Sequence, residues 1–182
     1  VRTAAEDFAA NGFVVTAMTT NTAGYTLIGF ADPTRGATLA ARMIQVDGSG
    51  LRSTAATWAS EGYVITAMVS NTAGYTLVGF RDTRSSAPYE SQMTQVDGSS
   101  LSSTVSSWAS SGYVVTVMET NTAGYTIIGY RDPARPGALT SSMRQASGST
   151  LRSAAEGFAA ARLLATTMVT NTAGYTTLAF SH

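Results

Sequence analysis

The chain has 182 residues, with 11 basic against 11 acidic side chains and a formal net charge of zero, so it lacks the basic excess that displaces counterions from phosphate, and a nucleic-acid partner is not expected. Absence of cysteine excludes disulfides, thiolate catalysis and Cys-ligated zinc, and no apolar run approaches the roughly 18 residues of a membrane span. Hydrophobic content of 44% is enough for a packed core, in one domain of ordinary size or two small ones.

The hexapeptide Asn-Thr-Ala-Gly-Tyr-Thr begins at Asn21, Asn71, Asn121 and Asn171, always 50 residues apart. Four copies of one supersecondary unit follow from this: residues 1–50, 51–100, 101–150 and 151–182. They are read as a single repeat domain, because each copy is too short to bury its own apolar face.

Each copy opens with apolar residues at i, i+4 and i+7: Val1, Ala5, Phe8; Leu51, Ala55, Trp58; Leu101, Val105, Trp108; Leu151, Ala155, Phe158. That spacing predicts one face of a helix. Ser49, Ser99 and Ser149 stand where a serine can cap the first turn. Gly12, Gly62 and Gly112 stand where a left-handed residue ends a helix, and Arg162 in the fourth copy predicts a different ending there. Two strands come next. Phe13–Thr20, Tyr63–Ser70 and Tyr113–Thr120 are rich in β-branched and aromatic residues. Asn-Thr-Ala-Gly then forms a tight loop, with asparagine bonding its own backbone and glycine taking a positive φ. The second strands are Tyr25–Phe30, Tyr75–Phe80, Tyr125–Tyr130 and Tyr175–Phe180. A variable loop such as Asp82–Glu90 and a short extended piece such as Gln92–Val96 lead into the next helix.

The predicted fold class is α+β: four tandem helix-plus-hairpin repeats with approximate internal fourfold symmetry, sheets inside and helices outside, or else an open row of four units. Pairing across a four-residue loop sets Thr20 against Tyr25, Met18 against Leu27 and Thr16 against Gly29. Phe13, Val15, Ala17, Ile28 and Phe30 then share the face expected to pack under the helix and its Phe or Trp. The opposite face repeats Thr16, Thr66, Thr116 and Thr166, Met18, Met68, Met118 and Met168, and Tyr25, Tyr75, Tyr125 and Tyr175. It can be a filled interior, with methionine closing irregular gaps and Gly29, Gly79 and Gly129 letting strands approach. The alternative is a Thr- and Met-lined cavity that sequesters a small molecule. Four methionine sulfurs without cysteine or repeated histidine are a poor Cu(I) site, so no metal is expected.

Asn21, Thr22 and Tyr25, with Asn71, Thr72, Tyr75, Asn121, Thr122, Tyr125, Asn171, Thr172 and Tyr175, are the candidate ligand-binding residues. The turn geometry accounts for asparagine and glycine, but Thr22, Ala23 and Thr26 recur while residues 33–42 diverge from 83–92 and 133–142. Asp32, Asp82 and Asp132 at the strand exit suit turn initiation rather than catalysis, and Asp32 and Asp132 precede proline. His182, the single histidine, is a poor general base at the chain terminus. Asp47-Gly48 and Asp97-Gly98 become Ser147-Gly148, without the alternating acidic ligands of a calcium loop. No nucleophile elbow, zinc helix, phosphate loop or dinucleotide fingerprint occurs. Four near-identical units offer the same few groups four times, whereas catalysis needs different groups converging. No catalytic residue and no cofactor are expected.

Trp58-Ala-Ser-Glu-Gly62-Tyr63-Val64 and Trp108-Ala-Ser-Ser-Gly112-Tyr113-Val114, with Phe8 to Phe13 as a looser copy, carry a resemblance. A helix ending in an aromatic turn, then Gly-Tyr, a Val- and Thr-bearing strand and a second strand opening with Tyr is similar to the bacterial tandem repeat domain. That unit also occurs in the amino-terminal region of polyglycine hydrolases. The resemblance implies an exported bacterial or fungal accessory domain with no catalytic residues to carry over. The Asn-Thr-Ala-Gly-Tyr-Thr turn departs from the family.

A non-enzymatic recognition protein is therefore expected, with repeated equivalent sites and lectin-like binding of a glycan or other repeated surface ligand. The alternatives are a structural, self-assembling module that forms a homo-oligomer, and the small-molecule sequestering protein above. Residues 1–20 lack signal-peptide features, so any such segment has been removed; with no lysine or cysteine and many small residues, secretion is expected.

Overall fold

The computed structural model describes residues 2–31, 38–85 and 87–181. Val1 at the expected helix start, Asp32 and Pro33 at the first strand exit, and His182 lie outside them. Among the described residues the protein is α+β, with four helices and four small antiparallel sheets of two or three strands. In chain order these are α1 Arg2–Ala10, β1 Phe13–Asn21, β2 Gly24–Ala31, β3 Leu39–Val46, α2 Leu51–Ser60, β4 Val64–Asn71, β5 Gly74–Asp82, β6 Glu90–Val96, α3 Gly98–Ser110, β7 Val114–Asn121, β8 Gly124–Arg131, β9 Ser141–Ala146, α4 Leu151–Ala160, β10 Leu163–Asn171 and β11 Gly174–Ser181. The chain divides into two compact units, Val1–Glu90 and Ser91–His182, each holding two repeats.

The helices end alike in all four copies, against the expectation for the fourth. Gly12, Gly62 and Gly112 have φ of 77°, 79° and 82°, and Arg162 adopts 56° in their place. Each donates its amide to the carbonyl three residues back, at 2.8 to 3.0 Å. Arg162 holds this conformation against the Cβ clash that disfavours left-handed backbone for most residues. Arg162→Gly is expected to stabilise the Ser91–His182 unit by about 1 kcal/mol, read as a higher urea midpoint.

The helix starts also differ from expectation. The cap of α3 is aspartate rather than serine, while α2 and α4 start at Gly50 and Thr150 with no side-chain cap and Asp47 holds the turn before α2. Asp97 accepts the Ser100 amide at 2.9 Å and the Ser99 hydroxyl at 2.6 Å; Asp47 likewise accepts the Gly50 amide and the Ser49 hydroxyl. These hydrogen bonds, the serine's first, hold both carboxyls below their ordinary value. In the third linker Ser147 and Thr150 bond each other instead, so the local turn survives without a charge.

Each hairpin is tighter than the expected four-residue loop. Pairing runs out to Asn21↔Gly24, leaving Thr22 and Ala23 as a two-residue tip, and Asn71↔Gly74, Asn121↔Gly124 and Asn171↔Gly174 repeat it. Thr20↔Tyr25 and Met18↔Leu27 pair as predicted. The register then shifts: Val15 faces Gly29 and Ala17 faces Ile28, so Thr16 is the extra residue of a β-bulge and does not pair with Gly29. The same shift spans Thr66, Thr116 and Thr166.

That bulge reassigns the faces. Val15 joins Met18, Leu27 and Gly29 on one side, while Ala17, Ile28 and Phe30 form the other. The helix covers the first of these, not the second as expected. In the Ser91–His182 unit Leu101, Val105 and Ala109 of α3 cluster with Val115, Met118 and Ile127. The recurrent glycine makes room for the helix's aromatic ring rather than for a strand. A methyl on Gly79 would lie 2.8 Å from the Trp58 ring, and one on Gly129 3.1 Å from Trp108.

The linker strands cross to the following copy. β3 pairs with β5, β6 with β8 and β9 with β11, completing three-stranded sheets, whereas β1 and β2 form a two-stranded one. Within each unit the second face of the later sheet is covered by the preceding copy: Val78 and Phe80 of β5 with Ala67 of β4 pack against Ala5, Ala9 and Val15. Leu178 and Phe180 of β11 likewise join the cluster built on α3.

Candidate functional site

The four hairpin tips are exposed. Asn21 shapes the first by accepting the Ala23 amide at 2.9 Å on its side-chain oxygen, and Asn71, Asn121 and Asn171 do the same at 2.8 to 2.9 Å. This is the expected asparagine turn. Gly24, Gly74, Gly124 and Gly174 supply the expected positive φ, between 119° and 127°.

Asparagine has two further duties. Its oxygen accepts from a linker glutamine: Gln45 to Asn71 at 3.2 Å, Gln95 to Asn121 at 3.0 Å and Gln145 to Asn171 at 3.5 Å. Its amide nitrogen donates to the tyrosine hydroxyl of the preceding copy, Asn71 to Tyr25 at 3.3 Å and Asn171 to Tyr125 at 2.5 Å. The same hydroxyls lie 3.1 Å from the buried Thr76 and Thr176 Oγ1 atoms. The rings of Tyr75, Tyr125 and Tyr175 lie beside Gly48, Gly98 and Gly148 of the linkers. Within each unit, asparagine, tyrosine and the last threonine of the hexapeptide thus join one copy to the next.

Thr22, Thr72, Thr122 and Thr172 make no such bond. Their side chains stand exposed at the tips, with one alanine beside each. Around three tips the sequence-predicted residues gather with Gln45, Gln95 and Gln145, which sequence reasoning missed although they too recur every 50 residues. A hollow of about 360 Å³, lined by Arg144, Gln145, Ala146, Thr150, Ser153 and Ala154, adjoins the Asn171 tip through Gln145. The surface presented is hydroxyl, amide and half-buried tyrosine, chemistry that hydrogen-bonds and stacks.

The Thr-Met series lies elsewhere. The Thr66 hydroxyl donates to the Val15 carbonyl at 2.5 Å and Thr166 to Val115 at 2.6 Å, so the bulge residue links neighbouring copies. Thr16 is exposed and Thr116 half-buried. Met68 and Met118 are buried, Met18 is half-buried against the first core cluster, and Met168 is exposed.

At the strand exits, Asp82 accepts the Arg84 amide and Asp132 the Ala134 amide, both at 2.9 Å, as turn initiators do. Arg81 and Arg131 had no assigned part in the sequence. They lie 5.0 and 4.9 Å from the Tyr63 and Tyr113 ring centres and donate to the Glu61 and Ser111 carbonyls, where a cation meets the negative end of a helix. Among the described residues no group of three or more His, Cys, Asp or Glu side chains could hold a metal, and no helix is long and apolar enough to cross a membrane.

No protein-family model matches the chain, and neither a curated protein nor a solved structure matches it.

Proposed function

We propose that the protein is a non-enzymatic recognition module whose equivalent hairpin tips engage a repeated surface ligand, with carbohydrate as the ligand class. One observation carries this: the exposed threonine of each tip recurs four times without a structural partner, on a turn that asparagine shapes in the same way in every copy. Hydroxyl and amide groups beside a tyrosine ring suit sugar hydroxyls, and zero net charge suits neutral glycans. Weak sites repeated along one chain gain avidity from a polymer that no single site supplies. Export from the cell, and kinship with the bacterial tandem repeat domain, belong to the same proposal.

Glycan-array binding by the intact chain tests it. A chain carrying Thr→Ala at 22, 72, 122 and 172 keeps the turn-forming asparagine and glycine, and is expected to lose roughly 10²-fold or more in apparent affinity for an immobilised polymer. No signal above background for the unaltered chain, or equal binding by the fourfold variant, removes the proposal.

A further inference from the structure

One cross-strand pair is apolar in the Val1–Glu90 unit and polar in its counterpart. Ile44 of β3 pairs with Leu77 of β5, whereas the matching pair in the Ser91–His182 unit is Arg144 of β9 with Thr177 of β11. Directly paired residues share one face of a sheet. The Arg144 guanidinium lies 5.6 Å from the Phe158 ring centre, so this is the face that α4 covers. The helix leaves space for the cation. Gly157 stands where α2 has Thr57 and α3 has Ser107, and a methyl on it would press on Arg144 Nη2 at 3.3 Å. Phe158 is a smaller ring than Trp58 and Trp108.

Packing alone gives no reason for these changes. Thr177 is 7% exposed and its hydroxyl has no hydrogen-bond partner, whereas Leu77 and Ile127 fill the same place at 0% without a polar atom. An unpaired buried hydroxyl costs free energy that leucine avoids. Arg144 forms no ion pair with a carboxylate among the described residues. It borders the hollow of about 360 Å³ between β9 and the first turn of α4. Arg144 and Gln145 stand on the strand side, Thr150 and Ser153 on the helix side, and no acidic side chain lines it. Thr150 places no side-chain cap on the helix start, so the positive end of α4 adds to the charge of Arg144.

We propose that this hollow binds a carboxylate, one per chain, with Arg144 as its ion-pairing partner. A planar guanidinium offers two parallel N–H donors to the two carboxylate oxygens. The Gln145 amide and the Thr150 and Ser153 hydroxyls are left for polar groups beside that carboxylate, with the Thr177 hydroxyl next to Arg144 as a further partner. The volume suits a small organic acid or one acidic sugar unit. Position 144 is Ile44 and Thr94 in the earlier linkers, so the site is not repeated. It stands independently of what the hairpin tips bind.

Amide NMR titration of the intact chain with lactate, glucuronate and glucose, each to roughly 50 mM, tests it. Saturable shifts at Arg144, Gln145 and Ser153 are expected with at least one of the two acids, fitting one site per chain, and none there with glucose. Both acids binding means that the carboxylate alone is read. Glucuronate alone means that sugar hydroxyls are read with it, and lactate alone marks a site for small organic acids. Arg144→Ile installs the side chain found at Ile44, so the sheet keeps its packing, and it is expected to weaken binding by about tenfold or more. The proposal is overturned if neither acid shifts these amides, if glucose shifts them equally, or if Arg144→Ile binds acid as the unaltered chain does.

Discussion

Trp58→Ala is expected to lower the unfolding free energy of the Val1–Glu90 unit by about 3–5 kcal/mol, measured by urea denaturation followed through tyrosine fluorescence. The ring is 6% exposed and lies in a slot opened by the absence of a side chain at Gly79. Removing it leaves an indole-sized void that neither the strand nor the helix can close, since both are fixed by their own hydrogen bonds. Filling the slot from the other side is also expected to be harmful. A methyl on Gly79 would meet Trp58 at 2.8 Å and the Val64 carbonyl at 3.0 Å, so Gly79→Ala should cost about 1–3 kcal/mol through overpacking. The fourth copy uses a smaller ring with a methyl, Phe158 with Ala179, and both are buried. Combining Trp58→Phe with Gly79→Ala should therefore cost less than the sum of the two single changes, the mark of side chains that share one space. Simple additivity would show that the ring and the glycine do not compete for that slot.

The second large effect separates two reasons for one glycine. Gly24 and Gly74 both have strongly positive φ, 127° and 120°, a region that L side chains avoid. The space around them differs. Nothing lies within 4 Å of a methyl built on Gly24, whereas one on Gly74 would collide with the Val46 carbonyl at the end of the linker strand. Gly24→Ala is expected to cost about 1–3 kcal/mol from backbone strain alone. Gly74→Ala should cost more, on the order of 3–5 kcal/mol, because β3 must also withdraw from β5 at that end. The ordering is read from urea midpoints. Equal losses at the two positions would mean that the linker strand does not press on the turn.

What could be read from the residues was local. The i, i+4, i+7 apolar series fixed the helices, and Asn with Gly in the turn fixed the hairpins, because these signals act between near neighbours in the chain. Two features escaped. Alternation assumes an unbroken register, and the extra residue at Thr16 and its counterparts turned Val15 toward the helix, so the faces were assigned the wrong way round. The partner of the linker strand was equally hidden: Val46 pairs with Tyr75, and nothing near Val46 announces a residue so far along the chain. At the tips, recurrence singles out Asn71 and Tyr75 without separating joinery from recognition. Gln45, Gln95 and Gln145, and Arg81 with Arg131, were visible as recurrences too. They sit in stretches whose other residues have drifted, which masks their recurrence.

Because a linker strand belongs to the next copy's sheet, the repeating stretch of sequence and the folded block are out of phase. A backbone break within residues 47–50 would part α1 to β3 from α2 to β5 as molecules. Yet β3 would still be zipped to β5 along its whole length, from Leu39 against Asp82 to Val46 against Tyr75. The fold thus contains a natural seam for two-fragment complementation, where separately made pieces find each other through an exchanged strand.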